Sequence, residues 1–199
     1  MAKRNCDTYD YIAVYVDDFC LAMKDPKAFV EKITGPKYNF KLKGVGPLSY
    51  HLGASYKRDP DGTLTQGSKR YIEKMHATYK QIFGEEPTVY SSPLEHGDHP
   101  ELDDSEYVDS DGIGHYQTMI GQLQWVIALG RFDVFTATMS ISRYRISPRI
   151  GHLDRLKRIY GNLKRDTDGR IRFRVDEPDM SGLPTSTYSW DRSIYGNVR

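Results

Sequence analysis

The sequence predicts an α+β fold, and three observations carry that reading. Strand-forming runs crowd into residues 1–66, where Tyr11–Val16 (YIAVYV) and Phe19–Met23 (FCLAM) flank a pair of aspartates. Turn residues punctuate that stretch at short intervals. From Ser68 to Arg165 the apolar residues recur instead at the period of amphipathic helices.

Only Asp17 and Asp18 separate the first two apolar runs, which reads as a tight hairpin with both acids at its turn. Such turns favour Asn-Gly or Asp-Gly, which tolerate positive φ. Adjacent carboxylates repel and suit the turn poorly, so something besides turn geometry accounts for them. Asp25-Pro26 opens a helix as N-cap and first residue, Phe29, Val30 and Ile33 give it an apolar face, and Gly35-Pro36 ends it. Tyr38, Phe40 and Leu42 alternate as on a strand, and Gly44–Pro47 reads as a turn. Tyr50–Tyr56 reads as one further strand, Asp59–Gly62 as a turn, and Leu64-Thr65 as a short strand.

Ser68 is placed to cap a helix reaching about Phe83, with Tyr71, Ile72, Met75, Tyr79, Ile82 and Phe83 as its apolar stripe. Gly84 to about Gly112 is rich in Pro, Ser, Gly and acid, and reads as a linker or long loop. Three helices follow. Gly114–Leu129 carries Tyr116, Ile120, Leu123 and Ile127, and Asp133–Arg145 carries Val134, Ala137 and Ile141. A third starts at Ser147-Pro148, burying Leu153, Leu156, Tyr160 and Leu163 and exposing Arg155, Lys157, Arg158, Lys164 and Arg165. After Asp168-Gly169, Ile171, Phe173 and Val175 alternate with Arg170, Arg172 and Arg174 as on a half-buried strand.

The 199 residues suffice for a real core, and no apolar run is long enough to span a membrane. Two aspartates interrupt the first apolar stretch, so this stretch is not expected to be a signal peptide. Cys6 and Cys20 cannot build a disulfide framework, and a reducing setting fits them best. The net charge of +1 hides a polarity: Glu95–Gly112 holds eight acids and no Lys or Arg, whereas Arg143–Arg174 holds eleven basic residues and three acids. A basic run of this kind is either a solvated face or a polyanion-binding surface.

Asp17 and Asp18 are the strongest chemical candidates. Two-metal phosphoryl transfer needs carboxylates that hold cations about 3.5–4 Å apart, and Mg²⁺ prefers oxygen ligands. A hairpin tip can project both acids into a cleft from a rigid strand pair. An acidic surface turn is the plainer reading of the tetrad Tyr15-Val16-Asp17-Asp18 by itself. His96 and His99, separated by two residues within the acidic stretch, read as solvated loop residues.

The wider context resembles the reverse transcriptase of copia-type LTR retrotransposons over nearly the whole chain. The YVDD tetrad is similar to the metal-binding hairpin of that palm. Phe40–Gly46 resembles the family's F-x-M-K-D-L-G segment, and Tyr50-His51-Leu52-Gly53 its Y-F-L-G. Leu64-Thr65-Gln66 with Lys69–Ile72 resembles L-S-Q-x-x-Y-I, and Ser92-Pro93-Leu94 resembles T-P-L. Tyr116–Leu123 resembles Y-R-x-x-V-G-S-L, and Ile141–Tyr144 with Pro148 and His152 resembles x-S-R-F…P…H. Arg131-Phe132-Asp133 departs from the family's R-P-D.

The resemblance implies a partial palm (1–66) holding the metal-binding hairpin and primer-grip-like strands, a thumb-like helix with an acidic loop (67–112), and a helical connection region with a C-terminal strand and tail (113–199). It implies that in the complete enzyme Asp17 bridges two Mg²⁺ or Mn²⁺ ions, with Asp18 less directly bound, and that this chain alone binds them loosely. Tyr15 and Val16 then lie under the primer terminus, Leu52 and Gly53 grip the primer, and Lys69, Arg70 and Lys74 track the RNA or DNA template–primer. In the family the third palm carboxylate, the fingers and the dNTP-binding residues lie upstream, and ribonuclease H follows. The expectation is therefore a polyprotein fragment, cytoplasmic or nuclear, that is inactive alone. The competing expectation is a non-catalytic nucleic-acid-binding remnant using Arg155, Arg158, Arg170, Arg172 and Arg174.

Overall fold

The first β-ribbon of the computed structural model, which describes residues 2–5 and 8–173, is a three-stranded antiparallel sheet. It comprises β1 (Ala2–Asn5), β2 (Thr8–Tyr15) and β3 (Asp18–Ala22) in that order. The sequence reading supplied β2 and β3 but not β1. The register pairs Tyr15 with Asp18 and Ala13 with Cys20. The two-residue turn is thus Val16-Asp17, one position earlier than expected, and Asp18 is the first residue of β3. Helix α1 (Pro26–Thr34) follows as predicted, with the Asp25 carboxylate accepting the Ala28 N–H at 3.1 Å.

Tyr38–Leu42 forms no strand. Alternation alone does not make a strand when no partner edge pairs with it, and Tyr38 and Phe40 stay exposed. The expected single strand 50–56 is instead a hairpin, β4 (Tyr50–His51) and β5 (Ala54–Arg58), that reverses at Leu52-Gly53. Both turn residues have positive φ, 50° and 91°, which is the twist that suits two-residue hairpins. Strand β6 (Leu64–Gly67) pairs with β5, and β7 (Arg170–Phe173) pairs with β6 to complete a four-stranded antiparallel sheet. Arg174 and Val175 lie outside the described residues.

Helix α2 (Lys69–Phe83) matches its predicted span, and Gly84 in the left-handed conformation (φ 74°) ends it. Ser68 precedes it without a side-chain cap bond, and its hydroxyl is buried without a partner. Helix α3 (Ser110–Ala128) begins four residues earlier than predicted. The Asp109 carboxylate caps it, accepting the Gly112 N–H at 2.8 Å. Helix α4 (Phe135–Ser142) is shorter than expected and follows a 3₁₀ turn at Phe132–Val134. Helix α5 (Ile150–Arg165) starts after Arg149, beyond the expected Ser147-Pro148. Among the described residues, no helix is long and apolar enough to cross a membrane.

The core lies where α2, α3, α4 and α5 meet. Ile72, Met75, Tyr116, Met119, Leu123, Ile141, Leu156, Ile159, Tyr160 and Leu163 are fully buried there. Each large aliphatic side chain so buried contributes about 1.5–3 kcal/mol relative to exposure. Tyr160 packs at the centre with its hydroxyl donating to Gln122 Oε1 at 2.7 Å, and the Tyr116 hydroxyl donates to the Ile141 carbonyl at 2.7 Å. Neither phenol is left unsatisfied, which is what makes two buried tyrosines tolerable.

The segment 84–109, expected to be a linker, is a belt laid along α5. Pro87 and Pro100 are buried, and the Tyr90 N–H donates to the Gly161 carbonyl at 3.4 Å. His152 is 3% exposed and joins the two. Its Nδ1 faces the Arg149 N–H at 3.1 Å and must accept, so Nε2 carries the proton and donates to the Pro100 carbonyl at 2.8 Å. Gly161 has no space for a side chain: a β-carbon there would overlap the Thr88 carbonyl.

Candidate active site

The hairpin tip holds the aspartates by a strained turn. Val16 has φ 55°, a region that a β-branched residue rarely adopts. Holding it there costs roughly 1–3 kcal/mol, a cost seen where surrounding structure or function requires it. The result is geometric. Asp17 sits at the apex and Asp18 opens β3 opposite Tyr15, and all four residues of the tetrad are exposed. Alternation along β3 puts Asp18 and Cys20 on one face. Burial pushes the Cys20 thiol up, and the Asp18 charge adds to that shift. Burial and then Cys20 likewise raise Tyr56 of β5.

Among the described residues, no group of three or more His, Cys, Asp or Glu side chains forms a metal cage. Asp17 and Asp18 are hard oxygen donors suited to Mg²⁺ or Mn²⁺, but two carboxylates are an incomplete ligand set. His99 bonds Glu101 (2.8 Å) in the belt and belongs to no such group.

The Leu52-Gly53 turn is seated on the end of α3. A β-carbon on Gly53 would lie 3.2 Å from Trp125 Nε1 and 3.3 Å from Leu129 Cδ1. Gln66 Nε2 reinforces the seat by donating to the Leu129 carbonyl at 3.2 Å. Just before the turn, Tyr50 packs its ring against the Arg70 guanidinium, 5.3 Å from the ring centroid. Of the residues singled out from sequence, the structure therefore brings Arg70 to the strand that leads into Leu52-Gly53. Lys69 and Lys74 stand exposed on the same helix.

The basic residues of α5 are largely engaged within the chain. Arg155 Nε donates to Asp98 at 2.8 Å and its Nη1 donates to Asp103. Arg158 donates to Glu95 at 2.7 Å and to the Ser92 carbonyl at 3.1 Å. Arg155, Lys157, Arg158 and Lys164 are half-buried rather than exposed as expected, and Arg165 alone of the five is exposed. On β7, Arg170 pairs with Asp168 at 2.9 Å and Arg172 with Asp59 at 3.1 Å. The two opposite charge runs of the sequence thus meet each other, a pairing that sequence reasoning missed. The visible signal was the opposite sign of the two runs.

No family model matches the chain, and no solved structure matches it. Three curated sequences do. The chain is 29% identical over 154 residues to the putative transposon Ty5-1 protein YCL074W of Saccharomyces cerevisiae, covering 75% of this chain and 47% of that protein. It is 30% identical over 149 residues to the retrovirus-related Pol polyprotein from transposon RE1 of Arabidopsis thaliana, covering 75% and 10%. It is 25% identical over 154 residues to the uncharacterized mitochondrial protein AtMg00810 of the same plant, covering 77% and 61%. The chain is a remote relative of transposon Pol proteins. It spans less than two thirds of each of these relatives.

Proposed function

We propose that the chain is the C-terminal palm, thumb and connection portion of a copia-type reverse transcriptase, and that Asp17 and Asp18 are its metal-binding carboxylates. The observation that carries this reading is the strained Val16 turn, which aims two adjacent acids from the tip of a ribbon. Remote relatedness to a transposon Pol polyprotein supports it.

In this reading Asp17 and Asp18 hold Mg²⁺ or Mn²⁺ together with donors from outside the described residues. The bound cations supply Lewis-acid activation and charge neutralisation for nucleotidyl transfer. The exposed Tyr15 ring, opposite Asp18, supports the primer end beside the acids. The Leu52-Gly53 turn, seated on Trp125 and Leu129, grips the primer strand. Lys69, Arg70 and Lys74 neutralise template–primer phosphates. Because positioning and metal binding act as a unit, two carboxylates alone leave incorporation below detection.

The test is Mn²⁺ binding to the purified chain, read by paramagnetic broadening of amide resonances. Broadening confined to residues 15–20 and removed by Asp17→Asn is expected. Uniform broadening over the belt acids, with the hairpin no more affected than they are, would overturn the assignment. Primer extension by the chain alone would contradict the incomplete ligand set.

A further inference from the structure

The seam between α2 and α5 gathers five cations: Lys80, Lys157, Arg158, Lys164 and Arg165. Three acids face them. Glu86 of the belt sits between two ammonium groups, with Oε1 3.2 Å from Lys80 Nζ and Oε2 3.4 Å from Lys164 Nζ. Glu95 receives Arg158 at 2.7 Å, and Asp154 lies 3.8 Å from Lys157. Two aromatic rings line the same seam: Arg158 lies 4.6 Å from the Tyr90 ring centroid, and Lys157 lies 4.6 Å from that of Phe83. Arg165 completes it by donating to the Ser91 carbonyl at 2.9 Å.

The belt is joined to α5 in two different ways. At its inner end Asp98 and Asp103 are 10% and 8% exposed and bind Arg155. At its outer end Glu86 and Glu95 are 49% and 69% exposed. Their partners Lys164 and Arg158 are half-buried, so it is the solvated carboxylates that make these outer pairs weaker than the inner ones and open to screening by salt. A carboxylate bridging two ammonium groups occupies the place a phosphate would take. A polyanion brings repeated charges and releases counterions on binding, which a single tethered glutamate does not.

We infer that this seam is a second contact surface for a single-stranded nucleic-acid backbone, and that Glu86 and Glu95 hold it closed until a phosphate chain displaces them. The inference rests on the nucleic-acid part of the function proposed above.

The experiment is fluorescence anisotropy of a labelled single-stranded DNA with the chain, with Glu86→Gln/Glu95→Gln, and with a charge-matched control, Glu31→Gln/Asp111→Asn. All four positions are exposed, so each variant is expected to fold, and circular dichroism verifies it. Removing the two glutamates is expected to tighten binding roughly three- to tenfold at low salt. The slope of log affinity against log salt should steepen by about 1. A gain no larger than the control's overturns the proposal. A gain for heparin without one for DNA overturns the assigned partner. A Lys69→Ala/Arg70→Ala/Lys74→Ala variant separates the two readings. If it leaves the gain intact while the starting affinity is unchanged, the seam stands and the α2 template–primer assignment fails. If it abolishes the gain, the seam is not a separate surface.

Discussion

Arg155 Nε lies 2.8 Å from Asp98, so the most basic helix of the chain is joined to its most acidic segment. Two charge runs 57 residues apart at that contact thereby become one packed unit. Removing the guanidinium would leave Asp98 and Asp103 nearly buried without their counter-charge. Arg155→Met is expected to destabilise the fold by about 3 kcal/mol, the low end for a broken buried pair, because Ser105 still donates to Asp103 and Arg155 is partly exposed. Glu95→Gln, at the exposed end, should cost under about 1 kcal/mol. Urea unfolding of the two variants side by side checks the contrast. Equal losses would mean that both ends of the belt contribute alike.

Gly161 should tolerate no side chain although it sits inside a helix. Replacing helical Gly with Ala ordinarily stabilises by about 0.5–1 kcal/mol. Here the added methyl overlaps the Thr88 carbonyl, and backbone cannot step aside cheaply. Gly161→Ala is expected to destabilise by roughly 1–3 kcal/mol. Gly114→Ala in α3, where nothing lies within 4 Å, is expected to stabilise. Denaturation midpoints of this pair decide whether the belt is packed on α5 in solution.

The pH dependence should turn on His76. Its Nε2 donates to the Tyr160 carbonyl at 3.2 Å between α2 and α5. Burial holds its imidazole below the ordinary value, and the Lys164 charge acts the same way against the Tyr160 bond and the charges of Glu86 and Glu73. The unfolded chain takes up that proton near pH 6.5, the folded chain at lower pH. The stability His76 contributes is therefore present above about pH 6.5 and is lost as pH falls through the folded value. Asp103 is also depressed: burial raises it, and its bonds from Ser105 and Arg155 outweigh that. Asp133 is depressed by Arg131. Their contributions persist until about pH 4 and fade below it. Urea midpoints measured from about pH 7 to pH 5 should fall for the native chain and stay flatter for His76→Gln. Identical slopes would exclude His76 as the source.

At the hairpin, Val16→Gly should cost little or nothing. Glycine adopts φ 55° without the clash a β-branched side chain meets, which offsets its greater loss of chain entropy. Val14→Gly, within β2, lacks that relief and should loosen the ribbon. Hydrogen exchange of the amides pairing β2 with β3 reports the difference. Faster exchange in both variants would show that Val16 is not strained.

The helices were legible because their faces are set by local period: α2 falls on its predicted span, and its buried residues Ile72, Met75 and Tyr79 were read from spacing alone. The acidic hairpin was legible for the same local reason. Its register was not, because residue preferences place acids, and not valine, at a turn with positive φ. Tyr38–Leu42 shows the converse failure, an alternating pattern with no edge to pair against. The belt was invisible for a different reason. Its Pro, Ser and acid content describes a solvated loop unless one knows which helix it lies on. The choice between a masked and an available basic face depends on contacts between residues 84–109 and α5, which no local pattern encodes.

Strand β7 returns from the end of the helical region to pair with β6, so Gln66 stands opposite Ile171 across a backbone ladder. The sheet is consequently stitched from both ends of the helix cluster, and neither half owns a complete one. Were the backbone cleaved once within the stretch between α2 and α3, both pieces would keep their grip on each other through that ladder and through the shared core. They are expected to co-migrate under native conditions and to part only in denaturant.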